Sequence, residues 1–167
     1  MIIETPSEEQ WDQLQSRLLK FGVFINLLGP FVIFIAAYVL QSRGMGSDLP
    51  VERETTFKLM LYILGLIALG EIAVGAFLKK AVFFNPQKIG PISSFAAFGD
   101  RCQGNVVILH ALGAAPAIYG LVMMLLGGTI EHFIFFLVLS LLGYRILRPG
   151  KAQLQALWDQ LQTEERA

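Results

Sequence analysis

The 167-residue chain has little charge and a single cysteine. Charged residues make up 16% of the sequence and hydrophobic residues 54%, and the mean hydropathy is +0.59. Soluble domains carry about 25% charged residues, so this composition is typical of a membrane protein. Because Cys102 is alone, the sequence excludes a disulfide framework, and we expect an unreactive, reduced thiol.

The sequence also lacks the motifs of the common enzyme classes. It contains no Gly-rich phosphate loop, no GxSxG elbow and no HExxH pair. The adjacent Glu131 and His132 face different sides of a helix, so no metal-ligand spacing is present. Acids and bases balance at 13 each, which gives no argument for a nucleic-acid partner. We therefore expect no enzyme activity, no metal, no cofactor and no nucleic acid.

Long apolar runs are what the sequence does contain. A helix needs about 20 apolar residues to cross the hydrocarbon of a bilayer, and four segments approach this length: 21–41, 57–78, 105–126 and 130–147. Gly127 and Gly128 allow a tight turn between the last two. The sequence predicts one all-α domain over 1–167, an integral membrane four-helix bundle of two hairpins.

Basic residues are distributed unevenly between the two sides that alternating spans would create. One side holds Arg43, Arg53 and Lys58, and the other holds the remaining ten: Arg17, Lys20, Lys79, Lys80, Lys88, Arg101, Arg145, Arg148, Lys151 and Arg166. The positive-inside rule then places both termini in the cytoplasm. We expect a bacterial inner membrane protein with the lipid bilayer as its surroundings.

Amphipathic helices are predicted at both ends, over 7–20 and 151–165. Ser7 and Gln10 match a capping box, and the pentapeptide WDQLQ occurs at 11–15 and again at 158–162. The candidate contact residues are Trp11, Leu14, Leu157 and Trp158. Three arrangements stay open: the two helices pack on each other, lie on the headgroups, or dock on a partner subunit.

Small residues recur at helical spacing in the second and third spans, which lets helix backbones approach closely in lipid. The predicted packing residues are Gly65, Ala68, Gly75, Gly113, Ala117 and Gly120. In the first span, Asn26, Gly29 and Pro30 predict a loosened turn.

Glu71 is an acid within the second span, eight residues before Lys79 and so about 12 Å deep. By the same count Asn26 and His110 lie about 9 Å deep, and Arg145 can reach up from the end of the fourth span. Since an isolated charge at such depth costs at least ~2.5 kcal/mol, we expect Glu71 to be protonated, paired or facing water, with His110 as its natural partner. The four residues are either a buried polar cluster that fixes the register of the helices, which we favour, or a proton site.

The run Ala114 to Val122, AAPAIYGLV, resembles the carboxylate-bearing helix of the rotary ATP synthase c subunit. In that family a proton-binding Glu stands where this chain has Ala114, so the ion-carrying role does not transfer to this span. Pro116 to Tyr119, Gly127-Gly128 and Arg148-Pro149 resemble uncharacterised small bacterial four-span membrane proteins, a resemblance that implies topology and no activity.

These observations favour a non-catalytic accessory or structural subunit whose helices pack against other membrane subunits. The first alternative is a proton or ion conductor using Glu71 and His110. The second is a redox-complex subunit that helps to hold haem or quinone; His110 and His132 lie at different heights, so each would need a ligand from another chain.

Overall fold

In a computed structural model the described residues are 5–43, 54–90 and 92–164, and within them the chain is helical. The helices are α1 (Glu8–Val23), α2 (Gly29–Ser42), α3 (Glu54–Leu78), α4 (Pro86–Ile89), α5 (Phe95–Leu125), α6 (Ile130–Leu147) and α7 (Lys151–Glu164). Turns of π-helix at Phe24–Leu28 and Lys79–Phe83 join α1 to α2 and extend α3.

Four helical stretches are long and apolar enough to cross a membrane, which confirms the coarse prediction. The third differs from its predicted bounds: α5 begins at Phe95 rather than at residue 105, because the Ser94 side chain caps it by accepting from the Ala97 N–H. The connection between the first two spans, residues 44–53 including Arg53, and Arg166 lie outside the described residues.

The helix pair α5 and α6 forms the centre of the bundle and has its most extensive interface. A Cβ placed on Gly113 would lie 3.3 Å from the Tyr144 amide nitrogen, and one on Gly143 would lie 3.2 Å from the Gly113 Cα. Such distances are tighter than an ordinary Cβ contact, so glycine at both positions lets the two backbones touch. The turn between them also requires glycine, since Gly127 has a φ of 96°.

The helices α2 and α3 pack on two different faces of this central pair. Two separate groups of buried side chains show this. The α3 group is Phe57, Ala68, Met123, Phe136 and Leu139. The α2 group is Ala37, Met124 and Phe133. The predicted hairpin of the last two spans is present, whereas in the described chain the first two spans pack on α5 and α6 rather than on one another.

A cap of short helices closes the end of the bundle that carries α1 and α7, which we call the inner end. Trp11 of α1 lies 4.9 Å from Phe95 of α5, and Trp158 of α7 lies 5.1 Å from Phe98, measured between ring centroids. All four rings therefore pack together. The connection between α3 and α5 contributes Phe84, Ile89 and Ile92 to the same core.

Phe98→Ala is expected to lower the free energy of unfolding by about 3–5 kcal/mol, because the ring is fully buried in the cap. Phe77→Ala is the matched control, since that ring is 67% exposed on α3, and it should change stability by less than about 0.5 kcal/mol. Unfolding in detergent, followed by tryptophan fluorescence, measures both. Equal effects would contradict the assignment of Phe98 to a closed core.

Candidate functional site

Glu71 is half-buried on α3 and pairs with a tyrosine of α5. The Tyr119 hydroxyl donates a hydrogen bond to Glu71 Oε1 at 2.5 Å. The second carboxyl oxygen, Oε2, is buried and has no partner among the described residues. Hydrogen bonding by Tyr119 reduces the cost of placing a carboxyl group at this depth, but only for one of its two oxygens.

Sequence reasoning missed Tyr119 because it counted depth along the third span from Gly104, six residues before His110, and that starting point lies too far toward the start of α5. The Lys79 ammonium donates to the backbone carbonyl of Arg148 at 2.8 Å, so these residues mark one level across the bundle. The helix α5 continues inward past Gly104 to its start. Long side chains of a helix also point toward its N-terminus, which brings the Tyr119 hydroxyl inward to Glu71.

Asn26 and His110 form a second polar group on the α1 side of the central pair. The Asn26 amide donates to the Gly22 carbonyl at 3.1 Å, while its Oδ1 and His110 Nδ1 are buried without partners in the described chain. The His110 ring lies against Gly22, where an added Cβ would be 2.7 Å from Nε2. The Tyr144 ring covers it at a centroid distance of 5.1 Å.

The structure therefore pairs Glu71 with Tyr119 rather than with His110. Glu71 packs on the α3 side of the central pair, and Asn26 and His110 on the α1 side. The Arg145 side chain is exposed, and it is Arg148 that borders a small cavity together with His110. The expected cluster of four residues is thus divided into two polar groups.

The loosened turn predicted in the first span is the π-helical turn Phe24–Leu28. Pro30 has no amide hydrogen, and its ring would clash with the carbonyl of Asn26 in a regular α-helix. Widening the preceding turn relieves that clash. The widened turn carries Asn26 on its buried side, so Pro30 has a direct effect on where the second polar group lies.

His132 lies at the opposite end of the bundle from His110. Its Nδ1 accepts a hydrogen bond from the Thr129 N–H at 3.0 Å and so closes the start of α6. The Phe57 ring packs edge-on against the imidazole at 5.1 Å. Both histidines are therefore held by contacts within the chain, and they do not share a site.

The small residues predicted to pack lie at helix contacts. Gly75 is pressed against the Leu147 side chain, with an added Cβ only 2.9 Å away, and Gly120 against Phe133 and Phe136. Ala68 and Ala117 are fully buried, and Gly65 lies near Phe135.

The terminal residues proposed for a partner or membrane surface are instead in the interior. Trp11, Leu14, Leu157 and Trp158 are each no more than 6% exposed, because the cap covers them. Lys151 of α7 pairs with Asp12 and Glu8 of α1 at 2.5 and 2.7 Å. The hydrogen bond to Asp12 raises the pKa of Lys151 most, and the hydrogen bond to Glu8 raises it further.

No protein-family model, curated protein or solved structure matches this chain. Within the described ranges, no group of three His, Cys, Asp or Glu side chains is arranged to hold a metal ion.

Tyr119→Phe should destabilise the protein by about 0.6–1.7 kcal/mol, the range measured for hydrogen bonds between membrane helices. In a Glu71→Leu background the same change should cost much less, because the acceptor is gone. Tyr38→Phe is the control, since Tyr38 is 58% exposed on α2. Additive effects of Tyr119→Phe and Glu71→Leu would show that the two side chains are not coupled.

Proposed function

We propose that this protein is a non-catalytic accessory subunit of a larger membrane complex, with both termini in the cytoplasm of a bacterial cell. The observation that carries the proposal is an apolar stripe on α2 and the adjoining π-helical turn. It alternates spacings of four and three residues and comprises Phe24, Leu28, Phe31, Ile35 and Tyr38, which are between 47% and 65% exposed.

That alternation is the spacing with which one helix packs its side chains between those of another. The first helix is also the least covered by the rest of the chain. Only 17% of the residues in its most apolar stretch are buried, whereas 44% are buried in the corresponding stretch of the third helix. The first helix thus has a broad surface available to a neighbouring transmembrane helix.

The arrangement of the polar groups favours a structural role over conduction. Where the backbones of Gly113 and Gly143 touch, a Cβ added to Gly143 would lie 3.2 Å from Ile72 of α3, and one added to Gly113 would lie 3.2 Å from Asn26 Oδ1. The central pair thus separates the α3 side, which carries Glu71, from the side of Asn26. A proton relay requires polar groups or water in hydrogen-bonding sequence, and apolar close packing at this level interrupts such a sequence. Buried polar pairs of this kind fix the position of one helix against another.

A photoreactive amino acid at Phe31 should give discrete protein adducts in the native membrane, because the stripe packs on a partner helix. The same probe at Val32 is the control. Val32 is 58% exposed but points about 100° away on α2, so it should give mainly lipid adducts. Lipid adducts alone from both positions would overturn the accessory-subunit proposal.

Proton conduction is the second candidate, favoured by one observation: the buried Oε2 of Glu71 has no partner among the described residues. An intramembrane carboxyl with a free oxygen is able to exchange a proton. As an accessory subunit, the purified protein in liposomes should show no proton flux above empty liposomes. Flux that Glu71→Gln abolishes, and that the exposed-site control Glu131→Gln preserves, would establish conduction instead.

A further inference from the structure

A groove of about 420 Å³ runs between α3 and α6 in the outer half of the bundle, away from the cap. Its walls are apolar and are formed by Leu61, Gly65, Leu66, Leu69 and Phe135. Along α3 it extends from Leu61 to Leu69, eight steps of the helix or about 12 Å. Gly65 leaves part of the groove unfilled: a Cβ added there would lie 3.8 Å from the Phe135 ring, in ordinary van der Waals contact, and a larger side chain would occupy the space.

The polar residues that line the groove are Glu131 and His132, which begin α6 at its outer mouth, and Tyr62 of α3. His132 Nδ1 accepts the Thr129 N–H, so the neutral imidazole carries its proton on Nε2 and has a hydrogen-bond donor to offer. The Glu131 carboxylate beside it is exposed. The mouth therefore presents one donor and one negative charge at the level where a transmembrane helix meets the headgroups.

The nearby cation Lys58 does not reverse this charge, since its ammonium pairs with Glu54 at 2.6 Å. Among the described residues, an anionic headgroup would therefore meet the Glu131 carboxylate with Lys58 already paired to Glu54. A headgroup that carries both an ammonium and a phosphate meets complementary partners: the ammonium at Glu131 and a phosphate or ester oxygen at the His132 N–H.

We propose that this groove binds a zwitterionic aminophospholipid, with one acyl chain between α3 and α6 and its ethanolamine headgroup at Glu131 and His132. A helix is 10–12 Å in diameter and does not enter a groove of this size, whereas an extended acyl chain follows it from the side. The inference is independent of any partner protein.

The test uses the full-length protein in vesicles of equal phosphatidylethanolamine and phosphatidylglycerol. The protein is extracted in mild detergent, and its retained lipid is identified by native mass spectrometry. We expect one retained phosphatidylethanolamine per chain. Gly65→Leu fills the groove and should lower occupancy about tenfold, a change that corresponds to about 1.4 kcal/mol. Gly70→Leu is the control, because nothing lies within 4 Å of a Cβ there.

Glu131→Gln tests the headgroup separately and leaves the packing of α3 untouched. It should keep the retained lipid but shift its composition toward phosphatidylglycerol, while Glu54→Gln should not. The proposal is overturned if wild-type protein retains no lipid, if Gly65→Leu and Gly70→Leu retain equal amounts, or if the retained headgroups follow the vesicle composition in wild type and in Glu131→Gln alike.

Discussion

The contact between the backbones of α5 and α6 at Gly113 and Gly143 is the constraint on which the bundle depends. Lipid tails are as apolar as leucine, so the hydrophobic effect does not drive helices together inside the bilayer. Close van der Waals contact has to supply the attraction, and it is largest where no Cβ separates two backbones. Once α5 and α6 are joined in this way, each offers one face to α2 and another to α3.

This central contact also determines how the polar side chains are distributed. A four-helix bundle with an open centre could have brought Glu71, Asn26 and His110 together along its axis. Here the axis is filled, so each polar group is enclosed between the central pair and one outer helix. The Tyr119 hydroxyl donates a hydrogen bond to Glu71 on the α3 side, and the Gly22 carbonyl accepts one from Asn26 on the α1 side.

Hydropathy and capping signals were sufficient to predict the helices, and α6 has the predicted bounds 130–147. They were not sufficient to predict which helix is central. The stripes of small residues in α3 and α5 look alike in sequence, but the α5 stripe faces another glycine, Gly143 of α6. Gly143 is not part of a stripe of small residues, so the sequence did not mark it as a packing residue.

The candidate site was harder to predict, for a geometric reason. Counting residues from a basic boundary gives the depth of a Cα atom, whereas hydrogen bonds are made by side-chain ends. A tyrosine on α5 reaches about one helical turn toward the N-terminus of its helix, so a residue count makes Tyr119 too deep to meet Glu71. The same count gives His110 a suitable depth, but His110 lies on the other face of α5.

The cap explains how a bundle whose outer helices do not form a hairpin is held in one arrangement. The 31 residues of α5 extend about 46 Å, well beyond a hydrocarbon core of about 30 Å. In a bilayer its first turns would therefore extend beyond the hydrocarbon and carry Phe95 and Phe98 into the cap. There α1, which continues into α2, meets α7, which follows α6. Water would surround this end, and burying aromatic rings would be favourable there in a way that it is not within lipid. Glycine contact at one depth and hydrophobic burial at another thus stabilise the same set of helices by different physical means.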